Sequence, residues 1–195
     1  MMIKNIGFTL IELIVTLAIA AILITVAGPN FLTFIKNNRL TAQANSMVGS
    51  LQLARSEAVK RDKTVTVCRS DSPTVSLPAL PDCNTGTNWK KGWIVFVDNN
   101  SNGDRDAGET TILQQHEALS GGNNLFGSTS TNVKEFIVFK DTGFVKTGSD
   151  GTLALCDDRG KSDGIYIDLG TTGHISSIKI RDVASPPRAK TCTPA

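Results

Sequence analysis

Polarity along this chain falls into three regimes. From Phe8 to Ala27, twenty residues run almost wholly apolar. As an α-helix rising 1.5 Å per residue, that run covers roughly 30 Å, about the hydrocarbon thickness of a bilayer. Gly28-Pro29 follows; the proline removes a backbone donor, which predicts a kink or a loosened turn and not necessarily an end. Beyond it, Leu40, Ala44, Met47, Leu51, Ala54 and Ala58 recur at steps of three and four. That spacing marks one apolar face of an amphipathic helix running to about Arg61. Lys36, Arg39, Gln43, Arg55 and Lys60 are expected on the opposite face. From Thr64 the period changes to two.

The predicted strands are Thr64–Cys68, Trp93–Val97, Thr110–Leu113, Glu135–Phe139, Phe144–Lys146, Thr152–Cys156, Ile165–Asp168 and His174–Arg181. All are short, rich in Val, Ile and Phe, and separated by Gly, Asn, Asp and Ser. A helix first and strands after, without alternation, predicts an α+β fold: a long N-terminal helix packed on a mainly antiparallel β-sheet head. Ser70–Asn88, with three prolines, reads as a long loop. Ser120–Asn132 reads as a polar, flexible loop of the kind that faces partners.

Composition narrows the class. Of 195 residues, 135 lie beyond the first 60 (195 − 60), enough for a globular head with its own core. A net charge of +2 is well short of what a dedicated nucleic-acid binder carries. The four cysteines, Cys68, Cys83, Cys156 and Cys192, lie outside the apolar run and show no C-x-x-C spacing. With only two histidines beside them, disulfides in an oxidising compartment fit better than a zinc site. The sequence permits three connectivities; Cys68–Cys83 and Cys156–Cys192 is the expected one.

The apolar run is no ordinary anchor. Its leader, MMIKNIG, carries one lysine, and no A-x-A-like cleavage site follows, so a conventional secretory signal fits poorly. Glu12 sits inside the run, where an ionised carboxylate costs a few kcal/mol and needs a partner. Gly7-Phe8-Thr9-Leu10-Ile11-Glu12 resembles the processing site of type IV pilins and type II secretion pseudopilins. The resemblance implies a prepilin peptidase that cuts between Gly7 and Phe8 and methylates the new N-terminus. It also implies that Glu12 pairs with the terminal amine of a neighbouring subunit in a filament. Such pairing fits the electrostatics, since a buried carboxylate is tolerated when an opposite charge compensates it. A plain anchor whose glutamate reaches the interface is the bland alternative.

Two further stretches are similar to the GspH/FimT group of minor pilins and pseudopilins. Leu51–Cys68 looks like that group's passage from helix to first strand, and Trp89-Lys90-Lys91-Gly92-Trp93 leading into IVFVD like its central strand. The implied organisation is a leader at 1–7, a transmembrane and filament-core helix at 8–29, an amphipathic helix at 30–61 and a globular β head at 62–195. The implied setting is the bacterial inner membrane, single pass, with a periplasmic head. Orientation rests on the resemblance, because only Lys4 precedes the span while Lys36 and Arg39 follow it.

Two stretches are candidates for binding chemistry. Asp98–Glu109, DNNSNGDRDAGE, fits a twelve-residue calcium-loop pattern, with oxygen side chains at Asp98, Asn100, Asn102, Asp106 and Glu109 and Gly103 at the turn. Its flanks read as strands, unlike an EF-hand, and a polar hairpin tip explains the same residues. No cofactor is required by anything else in the chain, so calcium is the candidate ligand. The second is double-stranded DNA. The FimT-type members implied in transformation carry a Gly-Arg-x-Arg motif, and the matching stretch, Gly173-His174-Ile175-Ser176, lacks both arginines. Lys179, Arg181, Arg188 and Lys190 against Asp182 still give four minus one, +3, for phosphate contacts.

No enzyme site emerges. His116 and His174 have no nucleophile pattern beside them, and Gly121-Gly122 lacks a P-loop lysine. Asp157–Asp163 reads as a solvated turn of mixed sign. The sequence therefore points to a structural subunit. Three roles compete: a priming or tip subunit of a type IV pilus, a tip subunit of a type II secretion pseudopilus, and a DNA-binding subunit for transformation.

Overall fold

The computed structural model describes residues 8–73, 80–84, 88–128, 131–160 and 163–182, with the side chains at 26–30 and 181 set aside. Helix α1 (Leu10–Arg61) continues through Gly28 and Pro29 without ending there. Two compact units divide the chain, Met1–Asn38 and Arg39–Ala195. In the first, the apolar side chains stand outward on all sides, from Leu10 and Ile11 to Leu23 and Ile24. In the second, the face expected from the three-and-four spacing is the buried one. Leu40, Ala44, Met47, Leu51, Ala54 and Ala58 are all at most 2% exposed. The helix closes on a Schellman turn: Lys63 N–H donates to Ala58 O at 3.2 Å and Asp62 N–H to Val59 O at 3.4 Å.

Among the described residues eight strands follow: β1 (Val65–Arg69), β2 (Trp93–Val97), β3 (Ile112–His116), β4 (Asn124–Gly127), β5 (Phe136–Phe139), β6 (Gly151–Cys156), β7 (Ile165–Leu169) and β8 (Ile175–Lys179). They form two four-stranded sheets, ordered β3-β2-β1-β5 and β4-β6-β7-β8. Every pairing between strands is antiparallel. Alternation decides the faces. Val65, Val67, Trp93, Val95 and Val97 of the first sheet and Leu153, Leu155, Ile165, Ile167 and Leu169 of the second join α1 in one core.

Each sheet also buries apolar groups on its outer face. On the first, Cys68, Ile94 and Phe96 pack with Cys83, Ile112 and Phe136, beneath the Cys68–Cys83 disulfide. On the second, Ala154, Cys156, Tyr166 and Ile180 cluster with Phe126. Cys156 is disulfide-bonded as well; its expected partner, Cys192, lies outside the described residues. Burial pushes the Tyr166 phenol above its ordinary pKa.

Several expectations need correction. Gln43 is buried and does not lie on a solvent face, whereas Arg55 is exposed as expected; both also hold distant loops, as described below. The stretch Phe144–Lys146 makes a single bridge, Phe139 with Val145, and not a strand. The polar loop expected at 120–132 contains β4, whose Leu125 is buried in the core. The Asp157 turn is not simply solvated. Asp157 is buried, and its carboxylate accepts from Arg159 Nε at 2.8 Å and Nη2 at 2.6 Å. That pairing raises the already high pKa of the Arg159 guanidinium.

Candidate assembly site and basic surfaces

At the start of α1, Thr9 and Glu12 close on each other. Thr9 N–H donates to Glu12 Oε2 at 3.0 Å and Thr9 Oγ1–H to the same oxygen at 2.9 Å, while Glu12 N–H donates to Thr9 Oγ1 at 3.3 Å. This is a capping box, in which a threonine N-cap and a glutamate three residues on satisfy each other's orphan groups. Glu12 is thus both the helix cap and the acid of the apolar run. Phe8 before it is 84% exposed; Gly7 lies outside the described residues. Among the described residues, no helix is long and apolar enough to cross a membrane.

The acidic loop folds on its own carboxylates. Asp98 is fully buried and accepts from Thr66 Oγ1 at 2.8 Å, Gly103 N at 3.0 Å and Ser101 N at 2.6 Å. Glu109 accepts from Asn99 N at 2.6 Å and Asp106 N at 3.1 Å. Asn100 Nδ2 and Asn102 Nδ2 both donate to Asp106 Oδ2, at 2.7 and 3.0 Å. Gly103, at φ +88°, turns the chain. A calcium ion needs six to eight oxygens aimed at one point. Here the five expected ligands are brought together, but their lone pairs face N–H donors. Among the described residues, no group of three or more His, Cys, Asp or Glu is arranged to hold a metal. The donor set fits a self-capped hairpin tip and not calcium.

At the C-terminal side, β8 is an edge strand whose Lys179 is exposed. The Arg181 side chain, Arg188 and Lys190 lie outside the described residues. In the β7–β8 turn, Gly173 takes φ +76°. His174 is exposed, and Ser176 pairs with Asp168, which accepts from Thr152 Oγ1 at 2.9 Å. The position expected of a second arginine therefore faces a carboxylate already engaged.

Sequence reasoning missed the residue that organises this turn. Arg55 of α1 donates from Nε to Gly143 O at 3.1 Å, from Nη1 to Gly173 O at 3.0 Å and from Nη2 to Thr172 O at 3.2 Å. Higher on the same helix, Gln43 donates to Ser120 O at 3.0 Å and accepts from Asn123 Nδ2 at 2.6 Å. Between them, buried Ser50 accepts from Trp93 Nε1 at 2.9 Å, and the Trp93 ring stacks on His116 at 3.8 Å. A basic or amide residue beside an apolar helical stripe is the only sequence signal for such a clamp, and it does not name the acceptor.

From Gln43 of α1 to the β7–β8 turn, residues 43–173 match a known family, type II transport protein GspH. The chain belongs to the GspH family. The prokaryotic N-terminal methylation motif matches residues 2–28, the stretch holding Gly7, Phe8 and Glu12. Two crystal structures of the type IV minor pilin FimU of Pseudomonas aeruginosa are similar in fold. One has a TM-score of 0.56 at 20% identity, covering 82% of this chain and 99% of that one. The other has 0.54 at 18% identity, covering 79% and 100%. No curated protein matched the chain. As a GspH-family member, the chain is a minor pilin or pseudopilin of the type IV pilus and type II secretion class, and that family and fold are those of structural subunits. The methylation motif implies a subunit processed by a prepilin peptidase, anchored in a membrane and assembled with other pilins.

Proposed function

We propose that this GspH-family chain is a minor pilin of a type IV pilus, seated at a priming or tip position. A prepilin peptidase cuts it between Gly7 and Phe8 and methylates Phe8. Until assembly it is stored in the bacterial inner membrane with its head in the periplasm. The observation that supports this reading is Glu12 at the head of a helix whose apolar side chains face outward all round. An ionised carboxylate in hydrocarbon needs an opposite charge, and the Phe8 amine of a neighbouring subunit supplies it. Thr9 holds the carboxylate until that exchange.

The test is made on protein from the native host. Intact mass should show loss of residues 1–7 and one added methyl group, and Glu12→Val protein should insert in the membrane yet be lost from sheared filaments. A full-length mass with an active peptidase, or normal recovery of Glu12→Val in filaments, overturns the reading. A pseudopilus tip is the second reading, supported by the type II transport description of the matching family. A secretion defect with intact pili on deletion would select it. Binding of double-stranded DNA is the third, motivated by exposed Lys179 and the basic residues Arg181, Arg188 and Lys190 beyond it.

A further inference from the structure

A groove of about 630 Å³ opens in the head between the last turns of α1 and the β7–β8 turn, and Arg55, Val59, Lys60 and His174 are among its lining residues. Its floor is apolar. Val59 is 55% exposed, and Ile175 lies half-buried against the core. Gly143 comes so near that a Cβ there would lie 3.0 Å from Val59 Cγ2, and the next residue, Phe144, is 50% exposed. Gly173 forms the far wall, where a Cβ would meet Gly143 O at 2.4 Å and Arg55 Nε at 2.9 Å. The wall is therefore fixed by backbone and by the Arg55 clamp.

The rim is cationic. The three acceptors of Arg55 are neutral carbonyls, so none of them cancels its charge. Lys60 reaches Glu57 at 3.3 Å, but that carboxylate is shared with Arg61 at 2.5 Å. Among the described residues lining the groove there is no Asp or Glu. Lys60, Arg61 and Glu57 together carry a net +1, which with Arg55 leaves the rim positive. Exposed apolar surface beside a positive rim is the pattern of a recognition surface with an apolar anchor and a charged rim.

We propose that this groove docks a polypeptide segment of a partner subunit that presents an aliphatic or aromatic side chain beside a carboxylate. The carboxylate meets Arg55 and Lys60 at the rim, and the apolar side chain covers Val59 and Ile175. Nucleic acid is the poorer occupant: its backbone would answer the cations but leave the apolar floor in water, because its contacts are dominated by phosphate and sugar. That the partner is a filament neighbour rests on the assembly reading above; the groove's preference for an acidic, apolar segment does not.

The test uses the full chain in detergent micelles and a fluorescein-labelled peptide, Glu-Glu-Leu-Phe-Glu-Glu. Its comparisons are the Gln-Gln-Leu-Phe-Gln-Gln twin and a short duplex DNA. Anisotropy should report saturable binding of the acidic peptide and about tenfold weaker binding of the twin. Val59→Glu and Lys60→Glu should each weaken it by about tenfold. Both side chains are exposed, so circular dichroism should stay unchanged. No binding, equal binding of the two peptides, or binding indifferent to both substitutions overturns the proposal. DNA binding that both substitutions alter, with the acidic peptide unbound, assigns the groove to nucleic acid and overturns it too. None of these results touches the mass or Glu12 measurements, so the two readings fail separately.

Discussion

Asp62 ends α1 at φ +53°, in the left-handed region. There an ordinary side chain costs roughly 1–2 kcal/mol, while glycine adopts it freely. The two hydrogen bonds of the Schellman turn demand that conformation. Asp62→Gly is therefore expected to stabilise the chain by about 0.5–1 kcal/mol, the unfolded freedom of glycine offsetting part of the gain. Thermal melting of the full chain in detergent checks it, and an unchanged or lowered midpoint for the glycine variant counts against strain at this residue. At this scale, legibility depended on how far the partner lies along the chain. Glu12 was readable because its demand for a partner follows from the apolar residues around it. Arg55 was not, because its acceptors lie 88 and 118 positions away. A guanidinium beside an apolar stripe looks the same whether it faces water or three carbonyls.

Among the elements, the disulfide and what it covers are the clearest unit. Cys68 and Cys83 stand 15 positions apart, and their bridge lies over Ile94, Phe96, Ile112 and Phe136. Closing a loop of that length is worth about 3 kcal/mol in the chain-entropy account. Reduction should lower the melting midpoint accordingly, and Cys68→Ala with Cys83→Ala should reproduce that loss without reductant. A double variant as stable as the parent would show the loop held by packing alone. The strands beneath were legible from their period of two, and the stripe on α1 from its steps of three and four. β4 was not, because Leu125 and Phe126 are set among Gly, Asn and Ser, and its pairing comes from β6. Phe144–Lys146 erred the other way. Phe144 and Val145 are β-prone, but the stretch makes one bridge because the chain turns at Gly143, with φ +77°, and again at Gly148.

For the molecule as a whole, the division into helix then sheet was readable, whereas the split of eight strands into two sheets was not. Both sheets send alternate residues to the same helix, so the sequence pattern of each is identical. The acidic loop was readable as a cluster of oxygens but not as a closed one, since backbone N–H groups leave no mark in a sequence. DNA binding is a property of this scale too, because it depends on net charge and its placement. If the third reading is right, contacts run to phosphates from Arg181, Arg188 and Lys190. With roughly three phosphates engaged, log affinity should fall against log salt with a slope of about −3. Each Arg→Gln change should flatten it by about one unit. An electrophoretic assay on the full chain at low salt checks this; no binding at tens of micromolar protein removes the reading.

The three side-chain anchors of α1 bear on how the head resists being pulled. Gln43 grips the 120–123 segment, Ser50 the Trp93 indole, and Arg55 the turns at Gly143 and Gly173. Each partner belongs to a different part of the chain, and all three anchors sit on one helix. Tension drawn along that helix loads them in shear and in parallel, so no single one can peel away first. The head is thus built to yield all at once or not at all, as a rivet row does and a zipper does not.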